Sequence, residues 1–369
     1  MRIGVPRETK DGERRVGVTV DGVRALVADG HTVTVDSGAG AAVGFSDDAY
    51  RDAGAHIAAT AEAVWASDLV VKVKEVQPGE YGLLHPGSTI FGFHQINRDP
   101  ALLDALLRAR VAVVGYETVR DAEGRVPLLA PMSRIAGRLA PLAGADALST
   151  ARGGSGVLLS GVDDVPGARV VVIGAGNVGG EAARIAARMG AQVTVLSRGE
   201  TRRAALVVSL AAEGHPIRGL GVDEAALAAH VRAADLVIGA VLEPGKLSPK
   251  LLSRALVSSM RPGSAIVDVG IDQGGIAETS RMTKITEPTY VECGVVHYAV
   301  PNMPSLVART ATLALAAATL PFARRLAAGI DTALAADPGL MAGLMVRDGD
   351  IVHAGLAADA RRRAAQAAA

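Results

Sequence analysis

Aromatic residues make up only 3% of this chain, and it holds a single cysteine, Cys293. One thiol excludes a disulfide framework and a cysteine-based metal site, and it fits a reducing cytoplasm. Net charge is missing too, since Lys+Arg and Asp+Glu each total 38. With no basic field, neither nucleic acid nor an anionic membrane is expected as a partner. The N-terminus, Met1-Arg-Ile-Gly-Val-Pro6, runs straight into a strand-like segment and lacks the apolar core of a signal peptide. The most apolar window, Ala311 to Leu320, carries Thr312 and Thr319 and is flanked by arginines. It is too short to span a bilayer and reads as a buried helix. The composition points to a soluble, neutral, cytoplasmic protein, and 369 residues allow two domains with a core each.

What is present is organised around Arg169-Val-Val-Val-Ile-Gly-Ala-Gly-Asn-Val-Gly179. The β-branched run Val170 to Ile173 predicts a buried strand. It breaks into Gly174-x-Gly176-x-x-Gly179, and a helical pattern through Ala182, Ile185 and Met189 follows. Gly174 suits the tight turn, Gly176 the close approach of a pyrophosphate, and Gly179 the packing of helix on strand. The free N–H groups of the helix N-terminus then face the anion. A second strand, Gln192 to Leu196, completes a dinucleotide-binding unit. Ser37-Gly-Ala-Gly40 imitates a phosphate loop, but no continuous helix follows, so it reads as a simple turn.

Along the chain, strands at Arg2 to Val5, His31 to Val35, Ser67 to Val73, Ser88 to Phe93 and Val111 to Tyr116 alternate with helical patterns. That alternation predicts an α/β fold with doubly wound parallel sheets. Residues 1–130 form the first part of a substrate domain, and 131–304 form the nucleotide-binding domain, with further strands at Asp235 to Val241 and Ala265 to Val269. An Ala-rich helical region in 305–369 returns to complete the first domain. Two Rossmann-like domains, one inserted in the other, would then border a cleft. Gly153-Gly154-Ser155-Gly156 reads as a flexible or ligand-lining loop, and Arg361 to Ala369 as a fraying helical tail.

An Asp or Glu that reads an adenosine ribose is expected at the end of the second strand, where this chain has Ser197 and Arg198, then Arg202 and Arg203. A carboxylate there would repel a 2′-phosphate, whereas serine can hydrogen-bond it and arginine can pair with it bidentately. NADP(H) is therefore favoured over NAD(H).

Ordered matches then run through the chain: Arg2-Ile-Gly-Val-Pro-Arg-Glu-Thr-Lys10, Glu13-Arg-Arg-Val16, Val71-Lys-Val-Lys-Glu75, Tyr116-Glu-Thr-Val119 and Pro127-Leu-Leu-Ala-Pro-Met-Ser133. Further matches are Asp235 to Leu242, Ile271-Asp-Gln-Gly-Gly275 and Asn302-Met-Pro304. On these segments the chain resembles the alanine dehydrogenase and pyridine nucleotide transhydrogenase α-subunit family. The resemblance implies an oxidoreductase that interconverts a 2-oxo acid plus ammonia or an amine with an amino acid. It also implies a homo-oligomer, a hexamer or a smaller even assembly. Arg15 would clamp the substrate carboxylate, Lys74 would polarise a carbonyl or imine, and Asp272 would orient water. Ser133, Asn177, Val178, Val241, Leu242 and Asn302 join the glycines as implied cofactor contacts.

One departure stands out. The family carries Phe-x-Phe-Leu-His-Leu, whose histidine donates a proton, while this chain has Phe91-Gly-Phe-His-Gln-Ile96. The histidine column holds Gln95, and His94 stands one place earlier. Glutamine transfers no proton near neutral pH. On a strand, His94 would face the other way; in a loop, it would still be able to reach the site. The departure and Ser197-Arg198 leave open an opine-type condensation resembling N5-(carboxyethyl)ornithine synthase, and, from another class, a non-catalytic NADP(H) sensor. The other histidines show no metal-ligand spacing, and no metal is expected.

Overall fold

The computed structural model describes residues 1–241 and 247–368. The chain divides into two compact units, residues 1–132 with 305–369, and 133–304.

In the first unit, strands β1 (Arg2–Val5), β2 (Thr32–Asp36), β3 (His56–Ala58), β4 (Leu69–Val71), β5 (Thr89–Gly92) and β6 (Ala112–Gly115) lie parallel in the order β3-β2-β1-β4-β5-β6. The central strands are apolar because helices cover a parallel sheet: β4 and β5 are buried throughout, whereas β2 alternates and the edge strand β3 is partly exposed. Thr19 caps helix Val20–Ala28 by accepting from Gly22 N–H, and Asp99 caps helix Pro100–Ala109 by accepting from Leu102 N–H. Strand order reverses between β1 and β4, which makes the carboxyl ends of those two strands the expected ligand site of this unit.

The second unit contains β7 (Arg169–Ile173), β8 (Gln192–Leu196), β9 (Arg218–Leu220), β10 (Leu236–Gly239), β11 (Ala265–Asp268), β12 (Thr289–Glu292) and β13 (Val295–Tyr298). Their order is β12-β13-β11-β10-β7-β8-β9, parallel except for the β12–β13 hairpin. The reversal here falls between β7 and β10, beside Gly174. Two apolar layers sandwich the sheet, one including Ala182, Ala183 and Ala186 and the other Leu227, Val231 and Val257.

The return segment differs from its sequence reading in two ways. The apolar helix spans Ala308–Ala328, 21 residues, longer than the window that marks it. Length and composition would let it cross a membrane. One face of it, including Ala311, Thr312, Leu315 and Thr319, is buried within the first unit. Beyond it, β14 (Leu344–Arg347) and β15 (Asp350–Ile351) extend the first sheet, β14 running antiparallel to β6. These strands are too short to stand out as a periodic pattern.

Candidate functional site

In the second unit, β7 ends in the glycine turn and helix Asn177–Arg188 follows. Gly174 has φ +111, and a Cβ there would lie 2.5 Å from Ala240 O. At Gly179 a Cβ would lie 1.9 Å from Gly174 O, so helix and strand touch through this residue. A Cβ on Gly176 would meet nothing within 4 Å. Two glycines therefore serve the turn itself, while Gly176 leaves the backbone bare on an open side, as a pyrophosphate requires. Asn177 and Val178 begin the helix, with their N–H groups in its first turn.

Gly174 and Gly176 line a cavity of about 960 Å³, and Ser197, Arg198, Arg202 and Val241 line it too. The residues fit a nicotinamide dinucleotide: a bare glycine turn at a helix start, a strand-end serine and two arginines in one cavity. Arg203 is not on that wall. Its guanidinium donates to Ser197 O, and its stem packs against Gly219, so it supports the strand end. Ser133, Asn177, Val178, Gly179 and Asn302 do not line the cavity, and Leu242 lies outside the described residues. Sequence reading missed Arg232 and Lys250, which do line it, because nothing local ties them to the glycine turn.

Gly153–Gly156 is pinned rather than flexible, Ser155 N–H donating to Gly263 O at 2.8 Å and Gly156 N–H to Leu148 O at 2.9 Å, and it does not line this cavity. In the Ser37–Gly40 turn, the Asp47 carboxylate accepts from Ser37 Oγ–H at 2.7 Å and Gly38 N–H at 2.8 Å. That carboxylate takes the place an anionic ligand would need.

Asp272 lies half-buried on the turn Val269–Gln273 after β11, where its Oδ2 accepts Asn302 N–H at 3.3 Å. Asn302 itself has φ +55, in the left-handed region. Below the turn, Asp268 is buried, and its Oδ2 accepts from Ser280 Oγ–H at 2.6 Å and Ile276 N–H at 2.8 Å. Burial raises the pKa of Asp268.

In the first unit, side chains gather past the carboxyl ends of β1, β4, β5 and β6. Arg15 is 2% exposed, with Nε and Nη2 on the two oxygens of Glu13 at 2.7 and 2.5 Å and Nη1 3.0 Å from Met132 Sδ. The two parallel bonds expected toward a substrate are thus made to Glu13. A ligand carboxylate reaching Nη1 would have to displace the contact with Met132. The segment is held beside β4 by Gly17, where a Cβ would lie 2.4 Å from Val71 O.

Lys74 is buried three residues past β4, in reach of Glu75 and Glu117, whose carboxylates its charge stabilises. Lys72 is fully buried and pairs with Glu80 at 2.6 Å, and its Nζ lies 5.4 Å from the Trp65 ring centre. Glu8 accepts from the N–H groups of Val73 and Lys74, and burial pushes its pKa up to about 7. Glu117 accepts from the N–H groups of His94 and Gln95, and burial raises its pKa as well. Glu8 and Glu117 lie inside two of the segments matched to the family, yet sequence reading gave them no role. The available clue was position, a carboxylate two or three residues past a buried parallel strand.

Phe93 to Gln95 follow β5 as a loop, with Gln95 at φ +44. His94 is nevertheless fully buried, and neither ring nitrogen has a hydrogen-bond partner. The Lys72 stem packs near the ring, as both lie 3.4 Å from where a Cβ on Gly92 would sit. Burial, reinforced by Lys72, lowers the His94 pKa to about 3. So enclosed, the ring is neutral at neutral pH and does not serve as an imidazolium acid.

Against known proteins, family models described as alanine dehydrogenase/PNT match over both parts of the chain, the N-terminal domain at residues 4–136 and the C-terminal domain at 140–354. The alanine dehydrogenase of Halomonas elongata is 47% identical over 359 residues, 97% of this chain and 96% of that protein. That of Bacillus subtilis is 44% identical over 362 residues, covering 97% and 94%. A solved L-alanine dehydrogenase superposes with a TM-score of 0.94 at 42% identity, covering 98% of this chain and 99% of that one. A transhydrogenase from Sinorhizobium meliloti gives 0.82 at 25% identity, covering 95% and 100%.

Proposed function

The chain belongs to the alanine dehydrogenase/PNT family and is a nicotinamide-dependent oxidoreductase of CH–NH2 donors, and on that premise we propose that it interconverts a 2-oxo acid plus ammonia with an amino acid using NADP(H). The observation that carries this reading is Lys74, a buried cation past the switch-point strand β4, within a match to the family motif. Pyruvate is the substrate to try first, given what the relatives are called. A cytoplasmic homo-oligomer is part of the reading.

In this reading Arg15, pre-oriented by Glu13, binds the substrate carboxylate from its Nη1 side. Lys74 polarises the oxo or imine group, its field less screened where it is buried than it would be in water. Gln95 donates an amide N–H to the reacting oxygen but transfers no proton, and Asp272 orients the water that hydrolyses the imine. When bound, the reduced nicotinamide supplies the hydride. Ser197, Arg198 and Arg202 favour a 2′-phosphorylated adenosine, which a strand-end carboxylate would repel.

Gln95 in the histidine column favours a second reading, reductive condensation of the oxo acid with the amine of another amino acid. NADPH oxidation with pyruvate separates the two, ammonium being compared with ornithine and lysine and each repeated with NADH. Turnover with ammonium supports the first reading, and turnover only with an amino acid supports the second. Silence with every oxo acid and amine would overturn both.

A further inference from the structure

Two carboxylates in the first unit share one arrangement, each gripping consecutive backbone amides of a neighbouring strand's loop. Glu8, three residues past β1, takes Val73 N–H on Oε1 at 2.6 Å and Lys74 N–H on Oε2 at 3.3 Å. Glu117, two residues past β6, takes Gln95 N–H at 2.8 Å and His94 N–H at 3.1 Å, both on Oε1, with a longer 3.4 Å approach of His94 N–H to Oε2. β1 pairs with β4, and β6 with β5, so each clamp joins adjacent strands just beyond the point where their ladder ends. Successive N–H groups converging on one anion form a nest, and charge-assisted bonds of this kind are about twice as strong as neutral ones.

The residues held are the two whose placement the reaction depends on. Gln95 sits at φ +44, a left-handed conformation uncommon outside glycine that needs surrounding structure to keep it. Lys74 lies where the ladder between β4 and β5 has given way to loop.

We propose that Glu8 and Glu117 are positioning residues, Glu8 setting the placement of Lys74 and Glu117 that of Gln95 through their backbone amides. The proposal rests on the roles of Lys74 and Gln95 given above. Glu8 is faced by the charges of Lys72, Glu13 and Glu80 and by Tyr116, besides the two amides it holds. Glu117 is faced by Lys74. A protonated Glu8 has an O–H in place of one acceptor and releases one amide, so Lys74 is held best above pH about 7.

The oxygens are used differently, and that makes the test sharp. Glu8 spends one oxygen on each amide, so Glu8→Gln turns an –NH2 group toward one of them. Glu117 receives both amides on one oxygen, so Glu117→Gln keeps both bonds while Glu117→Ala loses them.

The experiment is amide hydrogen exchange of the full chain, read by mass spectrometry on peptides covering residues 72–76 and 93–96, with kinetics run alongside. Glu8→Gln should speed exchange in the first peptide by about tenfold, and Glu117→Ala should do so in the second, while Glu117→Gln stays within about threefold of the parent. In turnover, Glu8→Gln should lower kcat by about tenfold with little change in KM for the oxo acid, and should abolish the acid limb near neutral pH. Unchanged exchange in Glu8→Gln, or Glu117→Gln behaving like Glu117→Ala, overturns the proposal whether or not a substrate is known. Clamped amides in a parent that turns over no oxo acid would instead count against the proposed function alone.

Discussion

Glu13 holds the Arg15 guanidinium through both Nε and Nη2, at 2.7 and 2.5 Å, with the two side chains 0% and 1% exposed. A buried pair of this kind is costly to break from one side, because the remaining charge stays in a low-dielectric interior. Glu13→Ala should therefore destabilise the protein by about 3–5 kcal/mol, whereas the double change Glu13→Leu with Arg15→Met recovers most of that. Urea unfolding at pH 7.5 measures both. A single variant within about 1 kcal/mol of the parent would show that the pair does not carry this load.

If Arg15 also binds the substrate carboxylate, Arg15→Lys should keep the charge but lose the fork. KM for the oxo acid should then rise about tenfold or more, with a smaller change in the KM for the dinucleotide. Equal KM values in parent and variant would remove Arg15 from the site.

The glycine turn separates structural from ligand roles by substitution. Gly179→Ala would place a Cβ 1.9 Å from Gly174 O and should destabilise the second unit by about 2 kcal/mol or more. Gly176→Ala, whose Cβ meets nothing, should leave stability within about 0.5 kcal/mol and yet weaken dinucleotide binding about tenfold. Thermal melts and titration of NADPH fluorescence distinguish the two. Full affinity in Gly176→Ala would mean that no pyrophosphate approaches there.

Ser197→Asp with Arg198→Ile restores an acidic strand end and removes a cavity-lining cation. Preference should move from NADP(H) toward NAD(H), seen as a fall in affinity for adenosine 2′,5′-bisphosphate with AMP binding retained. An unaltered preference sinks the 2′-phosphate assignment.

His94 gives the stability a pH signature. Its pKa falls from 6.5 to about 3 on folding, so its contribution is full above pH 6.5 and is lost as pH drops toward 3. At pH 5 the loss is about 2 kcal/mol, at 1.36 kcal/mol per unit. Glu8 acts in the opposite direction, its raised pKa costing stability as pH climbs from 4.5 to about 7. Comparing His94→Leu with the parent cancels that common slope. The variant should lose less stability between pH 7.5 and 5 in denaturant titrations, and parallel curves would show that folding does not lower the pKa of the imidazole.

Much of the fold is readable from the chain because its signals are local. β8 spans Gln192–Leu196 and β1 spans Arg2–Val5, matching the apolar runs that mark them. Helix ends fall at Thr19 and Asp99, where a side-chain oxygen can take a free N–H. The edge strands β3, β9 and β15 were harder, being short and partly exposed, with little apolar surface to set a period, and β14, though buried, has only four residues.

The sequence by itself determined the two α/β units and the glycine turn, because a strand's apolar run and a glycine's freedom are properties of neighbouring residues. It also put Lys74 and Asp272 past strand ends and Arg15 after a charged loop, with their roles implied by the family resemblance. Only the tertiary structure decided that the Arg15 fork is taken by Glu13, that His94 is sealed in with a depressed pKa, and that Arg203 serves the backbone while Arg198 and Arg202 line the cavity. Burial and the charges across from a group set those outcomes, and both come from residues distant in the chain.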